Sequence, residues 1–256
     1  ADDHLSVQPA FQDVAGGTVR HPHLSDPALQ FAALRRMVVE ELSAGRMPLW
    51  NPDIYGGAPL LGDGQSMVGS PVTWFRLFFA EDLAQNLGVT WILMWTGLGT
   101  ALLLRRLGVS RWPAVIGGAA AMTGPFVHVW LLHPQAATFC WIPWLLWAIE
   151  GRLPARVALC FLGLIWGGHP GTAVHGALLA FGWWGIRSRC RWSLAGLVVG
   201  AILSLPLMLP LLEQALRSTT VAARGGSVLL PIQLLDLVWP GWLGHPALET
   251  WSQAGA

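Results

Sequence analysis

The pattern of polar and apolar positions changes near residue 86. Before that point charges and turn formers are interleaved with short apolar stretches; after it, uncharged runs alternate with short breaks. The runs are Leu87–Leu104, Pro113–Leu132, Ala136–Ile149, Val157–Gly168, Thr172–Ile186 and Ser193–Leu212. At the helical rise per residue, Leu87–Leu104 reaches roughly 27 Å, close to the thickness of a bilayer's hydrocarbon core. Ala136–Ile149 and Val157–Gly168 are the shortest, well under the roughly 20 residues of an ordinary span, and are expected to extend into their flanks, stand upright or be partly re-entrant. Pro143, Pro206 and Pro210 lie inside runs, which membrane helices tolerate where neighbours satisfy the freed backbone groups. The pattern predicts an all-α polytopic membrane protein with about six transmembrane helices in 86–212. It is preceded by a polar-to-amphipathic region, 1–85, and followed by a mixed tail, 213–256.

Within the first region, residues 1–23 show no sustained period and read as loop. Ser25-Asp26-Pro27 is a helix-start signal, with Asp26 as a candidate N-cap. The helix predicted over about 27–43 is amphipathic, with Leu29, Ala33, Val38 and Leu42 lining one side and Arg35, Arg36, Glu40 and Glu41 on others. It is too polar to cross a bilayer and belongs at its surface. The stretch Gly45–Pro71 is dense in Gly, Pro, Asn and Asp, which excludes a long helix or a central strand. Its aromatic and aliphatic residues argue for an ordered loop. Trp74, Phe75, Phe78 and Phe79 then supply an aromatic density typical of a membrane interface. In the tail, Val228–Leu237 and the WPGWLGHP stretch read as interfacial.

Composition sharpens the membrane reading. The chain holds sixteen Trp and has no Lys, so every basic side chain except the histidines is Arg. The breaks at 105–111, 150–156 and 187–191 carry eight Arg, whereas 133–135 and 169–171 carry none and each holds a His-Pro pair. By the positive-inside rule the Arg-bearing breaks are cytoplasmic. Residues 1–85, both His-Pro turns and residues 213–256 are then extracytoplasmic, and of the fourteen acidic residues only Glu150 lies inside. Cys140, Cys160 and Cys190 have neither disulfide nor metal-ligand spacing and read as packing residues. The chain begins ADDHL and ends SQAGA, which reads as a segment cut at both ends.

On the outer face this topology gathers Asp26, the Gly45–Pro71 loop, His133, Gln135, His169, Arg217 and Arg224. Trp50 offers a face for a sugar ring, and the amides of Asn51 and Gln65 offer hydrogen bonds to hydroxyl groups. His133 and His169 suit either interface positions at helix ends or phosphate and metal contacts, and His128 and His175 lie about a turn away. Arg217 and Arg224 suit either phosphate recognition or solvated charges. Asp53 and Asp63 are weak candidates for a divalent cation, since their spacing matches no metal motif.

The segments SDPALQ (Ser25–Gln30), GRMPLWNPDIYGGAPLLGDGQS (Gly45–Ser66), HPQ, GGHPG and LLEQALRST together resemble the bacterial YfhO-like membrane proteins, relatives of the GT-C glycosyltransferase superfamily. The resemblance implies an enzyme of the bacterial cytoplasmic membrane. Its donor would be a polyprenyl-phosphate-linked sugar and its acceptor a cell-envelope polymer or lipid, with no nucleic-acid partner. It implies Asp26, by its position in the first outer loop, as the general base that deprotonates the acceptor hydroxyl. Arg and His on the same face would stabilise the departing phosphate. Trp50, Asn51, Gln65, His133, Gln135, His169, Arg217 and Arg224 are the implied substrate contacts, with a divalent cation left open. The helix expected before the Asp loop and the later helices of the family are absent from this sequence. A transporter or flippase of lipid-linked sugars is the alternative, although the runs hold no ionisable side chain but His128 and His175. A non-catalytic envelope assembly protein is the third reading.

Overall fold

The computed structural model describes residues 26–54 and 56–217 and is built almost wholly of helices. Residues 1–23, Arg224 and the tail segments around 228–246 lie outside the described residues. The chain divides into two compact units, Ala1–Leu29 with Leu216–Ala256, and Gln30–Ala215. Of the first, only residues 26–29 and 216–217 are described; Asp26 and Arg217 are both exposed.

A π-turn, Pro27–Phe31, runs into α1 (Ala32–Ser43). Its buried stripe is Phe31, Leu34, Arg35 and Val38, spaced i, i+3, i+4, i+7. This corrects the expected face: Leu29 and Ala33 are exposed, and Arg35, expected on a polar side, is buried. Phe31 and Leu34 carry more apolar surface than Ala33, so they set which face turns inward.

The loop is ordered, as expected. Strands β1 (Trp50–Asn51) and β2 (Ala58–Pro59) pair antiparallel, Trp50 opposite Pro59, and a 3-10 turn follows at Leu61–Asp63. Helix α2 (Pro71–Trp74) and a second 3-10 turn (Phe75–Leu77) lead into α3 (Glu81–Arg106).

Each uncharged run becomes helical, but prolines cut several of them. The second run gives α4 (Arg111–Met122) and α5 (Pro125–Val129); the third gives α6 (Pro134–Phe139) and α7 (Ile142–Glu150). The fourth is α8 (Pro154–Trp166) and the fifth α9 (Pro170–Trp183), which ends in a π-turn at Trp184–Ser188. The sixth gives α10 (Arg191–Leu203) and α11 (Leu205–Arg217). Pro125, Pro134, Pro143, Pro154 and Pro170 each occupy the first turn of a helix, where the missing N–H costs nothing.

The expectation of about six membrane-length helices is therefore corrected. Among the described residues α3 alone is long and apolar enough to cross a membrane by itself. The pair α10–α11 reaches that length together but bends by 62° at Ser204. Pro206 cannot donate to a helical carbonyl there, and the Ser204 hydroxyl donates to Gly200 O at 2.8 Å.

Packing makes two cores. The larger joins α3 and α6–α10 around Ile92, Leu145, Ile149, Leu164 and Leu197. A ladder of indoles runs through it: Trp91 stacks on Trp95 at 4.3 Å and Trp95 on Trp144 at 4.2 Å, while Trp144 Nε1 donates to Trp95 O. The smaller joins α1, the loop and α11 through Phe31, Leu34, Val38, Leu60, Leu61, Val68 and Leu207. Outward faces of α3, α4 and α8–α10 remain apolar, with Met94, Ile116, Leu159, Leu178 and Val199 all exposed.

Candidate functional site

The two ends of the bundle are chemically unlike. At one end the Arg-bearing breaks meet. Arg106 donates to Trp147 O at 3.0 Å, and its guanidinium lies 4.6 Å from the centre of the Trp147 ring, which Arg156 also faces at 5.2 Å. Glu150 accepts from Trp183 Nε1 at 2.9 Å and from Arg187 Nε at 2.6 Å. The Ser193 hydroxyl donates to Ile149 O, the kind of bond that satisfies a last-turn carbonyl. These contacts bring the Arg-bearing breaks together at one end of the bundle.

The Gly45–Pro71 loop covers the other end. Gly64 lies against Pro170 and Leu211, Gly62 against Pro210, Gly69 against Trp166 and Gly168 against Met67. Gly168 has φ +96°, and a side chain there would collide with Met67 as well as strain the backbone. His169 follows, extended, as the N-cap of α9; its Nδ1 accepts from Thr172 N at 3.0 Å and lies 2.8 Å from Thr172 Oγ1. An acceptor at Nδ1 puts the ring proton on Nε2. Burial, and then the neighbouring His175, push the His169 pKa down, so the ring is neutral at pH 7 and offers one N–H donor rather than a cation. The His169 N–H in turn donates to Thr138 Oγ1 of α6 at 3.1 Å, tying the two His-Pro turns' helices together.

The other expected site residues divide into engaged and open. Asn51 is buried, and its Oδ1 accepts from Asp53 N at 2.9 Å; that oxygen closes a turn instead of facing a substrate. Trp50 is 55% exposed with one edge over Gly57, so a ring face remains open for stacking. Gln65 is half-buried. His133 is buried, not at an open interface, with its ring edge-on to Phe31 at 5.5 Å and to Trp130 at 5.0 Å. Gln135 Oε1 is buried and makes no hydrogen bond. His128 is exposed, with Nδ1 3.3 Å from Gly124 O, and His175 is exposed.

Asp26 departs from its expected capping role: its carboxylate makes no hydrogen bond or ion pair, and α1 has no side-chain cap. Asp53 is exposed, whereas Asp63 is half-buried and accepts from Gln65 N at 3.1 Å; burial pushes its carboxyl pKa up. No group of three or more His, Cys, Asp or Glu able to hold a metal occurs among the described residues.

Sequence reasoning missed Arg35 and Arg76. Arg76 is buried and fully engaged: Nε reaches both Glu81 carboxylate oxygens, one η nitrogen donates to Val72 O, and the other to Gln85 Oε1. Arg35 is 5% exposed; its Nε makes no hydrogen bond, and one η nitrogen lies 4.0 Å from Met67 Sδ. Burial, then the charge of Arg76, push the Arg35 pKa down to about 10 against an opposing pull from Glu81, so the guanidinium stays charged at pH 7. The signal was in the sequence: Arg35 completes the stripe begun by Phe31 and Leu34.

The chain matches no family model, no curated protein and no solved structure. The described residues define a mostly helical protein with one end covered by the loop, an Arg-braced opposite end and apolar flanks.

Proposed function

We propose that this chain is part of a multi-pass membrane protein of the bacterial cytoplasmic membrane. In this reading it moves a sugar from a polyprenyl-phosphate carrier to a cell-envelope acceptor on the outer side, as GT-C enzymes do. The observation that carries the membrane part is the apolar flank between two polar ends, since exposed apolar surface of that extent needs a covering phase. The broken pairs α4–α5, α6–α7 and α10–α11 then serve as interrupted or re-entrant spans, with their freed backbone groups turned toward protein. The Arg-braced end faces the cytoplasm. For transfer, the open face of Trp50 stacks a sugar ring, Gln65 and the Nε2–H of His169 contact hydroxyl or phosphate oxygens, and Asp26, with no competing partner, takes the acceptor proton. Arg217 and Arg224 assist the leaving phosphate.

Two measurements test the two parts. Orientation is read with a membrane-impermeant maleimide: an Asp53→Cys variant is labelled in intact cells, and half-buried native Cys190 only after the membrane is opened. The reverse order refutes the orientation. For the chemistry, Asp26→Asn in cells making the whole protein abolishes sugar transfer while membrane insertion is retained. Unchanged envelope glycosylation removes Asp26 from the mechanism.

A further inference from the structure

Arg35 is the one described guanidinium that is buried without a carboxylate, carbonyl or aromatic partner. The charged groups that act on it are another cation, Arg76, and one carboxylate, Glu81, which Arg76 already holds at 3.0 and 3.1 Å. Burial of an uncompensated charge is costly, and proteins normally relieve it with a counter-charge. The segment Arg35 reaches through Met67 carries two more buried polar groups without a partner, Ser70 Oγ and Thr73 Oγ1. Ser70 N donates to Met67 O and Thr73 N to Ser70 O, so both hydroxyls belong to the same turn, three residues apart on one side of it. A guanidinium edge and two hydroxyls, with no acid among them, form a donor set for oxygens of a tetrahedral anion.

We propose that Arg35, with Ser70 and Thr73, binds a phosphoryl oxyanion between α1 and the Met67–Arg76 segment, Arg76 adding positive potential without touching it. The anion comes either as free phosphate or as the phosphate head of a lipid, and supplies the counter-charge that the protein itself does not. The site uses none of the residues assigned to sugar transfer and stands whether or not the chain transfers sugars.

The test is thermal unfolding of the full chain in a neutral detergent at constant ionic strength, with chloride replaced by inorganic phosphate. A parallel series uses dodecyl phosphate below its micellar concentration. A saturable rise in unfolding temperature with either probe is expected. Response to inorganic phosphate identifies a free anion, and response to the alkyl ester alone identifies a lipid. In Arg35→Met the rise is lost, while the unfolding temperature without phosphate is no lower than in wild type, because a lone charge has been replaced by an apolar chain of similar length. Ser70→Ala and Thr73→Val keep the charge and the fold, and shift the phosphate midpoint several-fold upward. No saturable rise with either probe, an equal rise in Arg35→Met, or unchanged midpoints in both hydroxyl variants would overturn the proposal.

Discussion

Helices α8 and α10 meet at two glycines four apart, Gly196 and Gly200. A Cβ on Gly196 would stand 2.5 Å from Pro154 O and 2.8 Å from Val157 Cβ; one on Gly200 would stand 2.8 Å from Phe161 Cβ and 2.9 Å from Ala158 O. Ordinary carbon–oxygen contacts begin near about 3.3 Å, so Gly196→Ala forces the helices apart by several tenths of an ångström. The obstacle is backbone, which cannot rotate away. Overpacking of this kind costs about 1–3 kcal/mol, and the gain in helix propensity from Gly to Ala returns about 0.8–1. Gly182→Ala, on the exposed side of α9 with nothing within 4 Å, collects the propensity gain alone. The two variants should therefore differ by about 2 kcal/mol, Gly182→Ala the more stable. The double variant Gly196→Ala/Gly200→Ala should lose less than the sum of its singles, because one retreat of α10 relieves both collisions. Helicity followed through a denaturing-detergent titration measures all four. Equal stability of Gly196→Ala and Gly182→Ala would refute the close approach of α8 and α10.

Glu150→Gln keeps an acceptor for Trp183 Nε1 but loses the charge facing half-exposed Arg187, so about 1 kcal/mol of stability should be lost in the same titration. No change would show that the pair is solvent-screened. Because burial lowers the folded-state pKa of His169, its stabilising contribution is fully present above the ordinary value of 6.5 and is lost as pH falls from there through the lowered folded-state value. His169→Asn retains a cap acceptor for Thr172 N without the titrating ring and should flatten that part of the stability–pH profile. An unaltered profile would assign the pH dependence elsewhere.

What was legible in the sequence depended on the range of the interaction involved. Every uncharged run did become helical, because a long apolar stretch has few other ways to satisfy its backbone. The breaks within runs were legible only in part. Pro143 was visible as an interruption, but that Ser204 and Pro206 would turn α10–α11 through 62° depends on where Leu207 finds its core. Asn51 was given a substrate role although Asn before Pro is a local turn signal, and its Oδ1 does close its own turn by accepting from Asp53 N. His133 was placed at an open helix end, yet Phe31, about a hundred residues earlier, covers it. No periodicity within α6 encodes that contact. Arg35 is the opposite case. Its burial follows from a local i, i+3, i+4, i+7 count, and reading it as a surface charge gave its chemical type precedence over its position.

The two ends of the bundle use arginine for different purposes, which bears on where the proposal places ligand binding. At the cytoplasm-facing end in our proposal, Arg106, Arg156 and Arg187 spend their guanidinium groups on Trp147, Trp183, a carbonyl and Glu150, contacts that brace α3 against α7 and α7 against α9. Such cations are satisfied within the fold and have little left to offer a ligand. On the loop-bearing side Arg76 is likewise satisfied, by Glu81, Val72 O and Gln85, but other groups are not. Arg35 Nε, Ser70 Oγ, Thr73 Oγ1, Gln135 Oε1 and Gln214 Oε1 are buried with hydrogen-bonding capacity unused, although native proteins satisfy nearly all such groups. Our proposal places ligand binding near the ordered loop, where several of these unsatisfied groups lie. Substitutions at Arg106 or Arg156 should accordingly act on stability and insertion, whereas those at Arg35, Gln135 and the loop should act first on ligand.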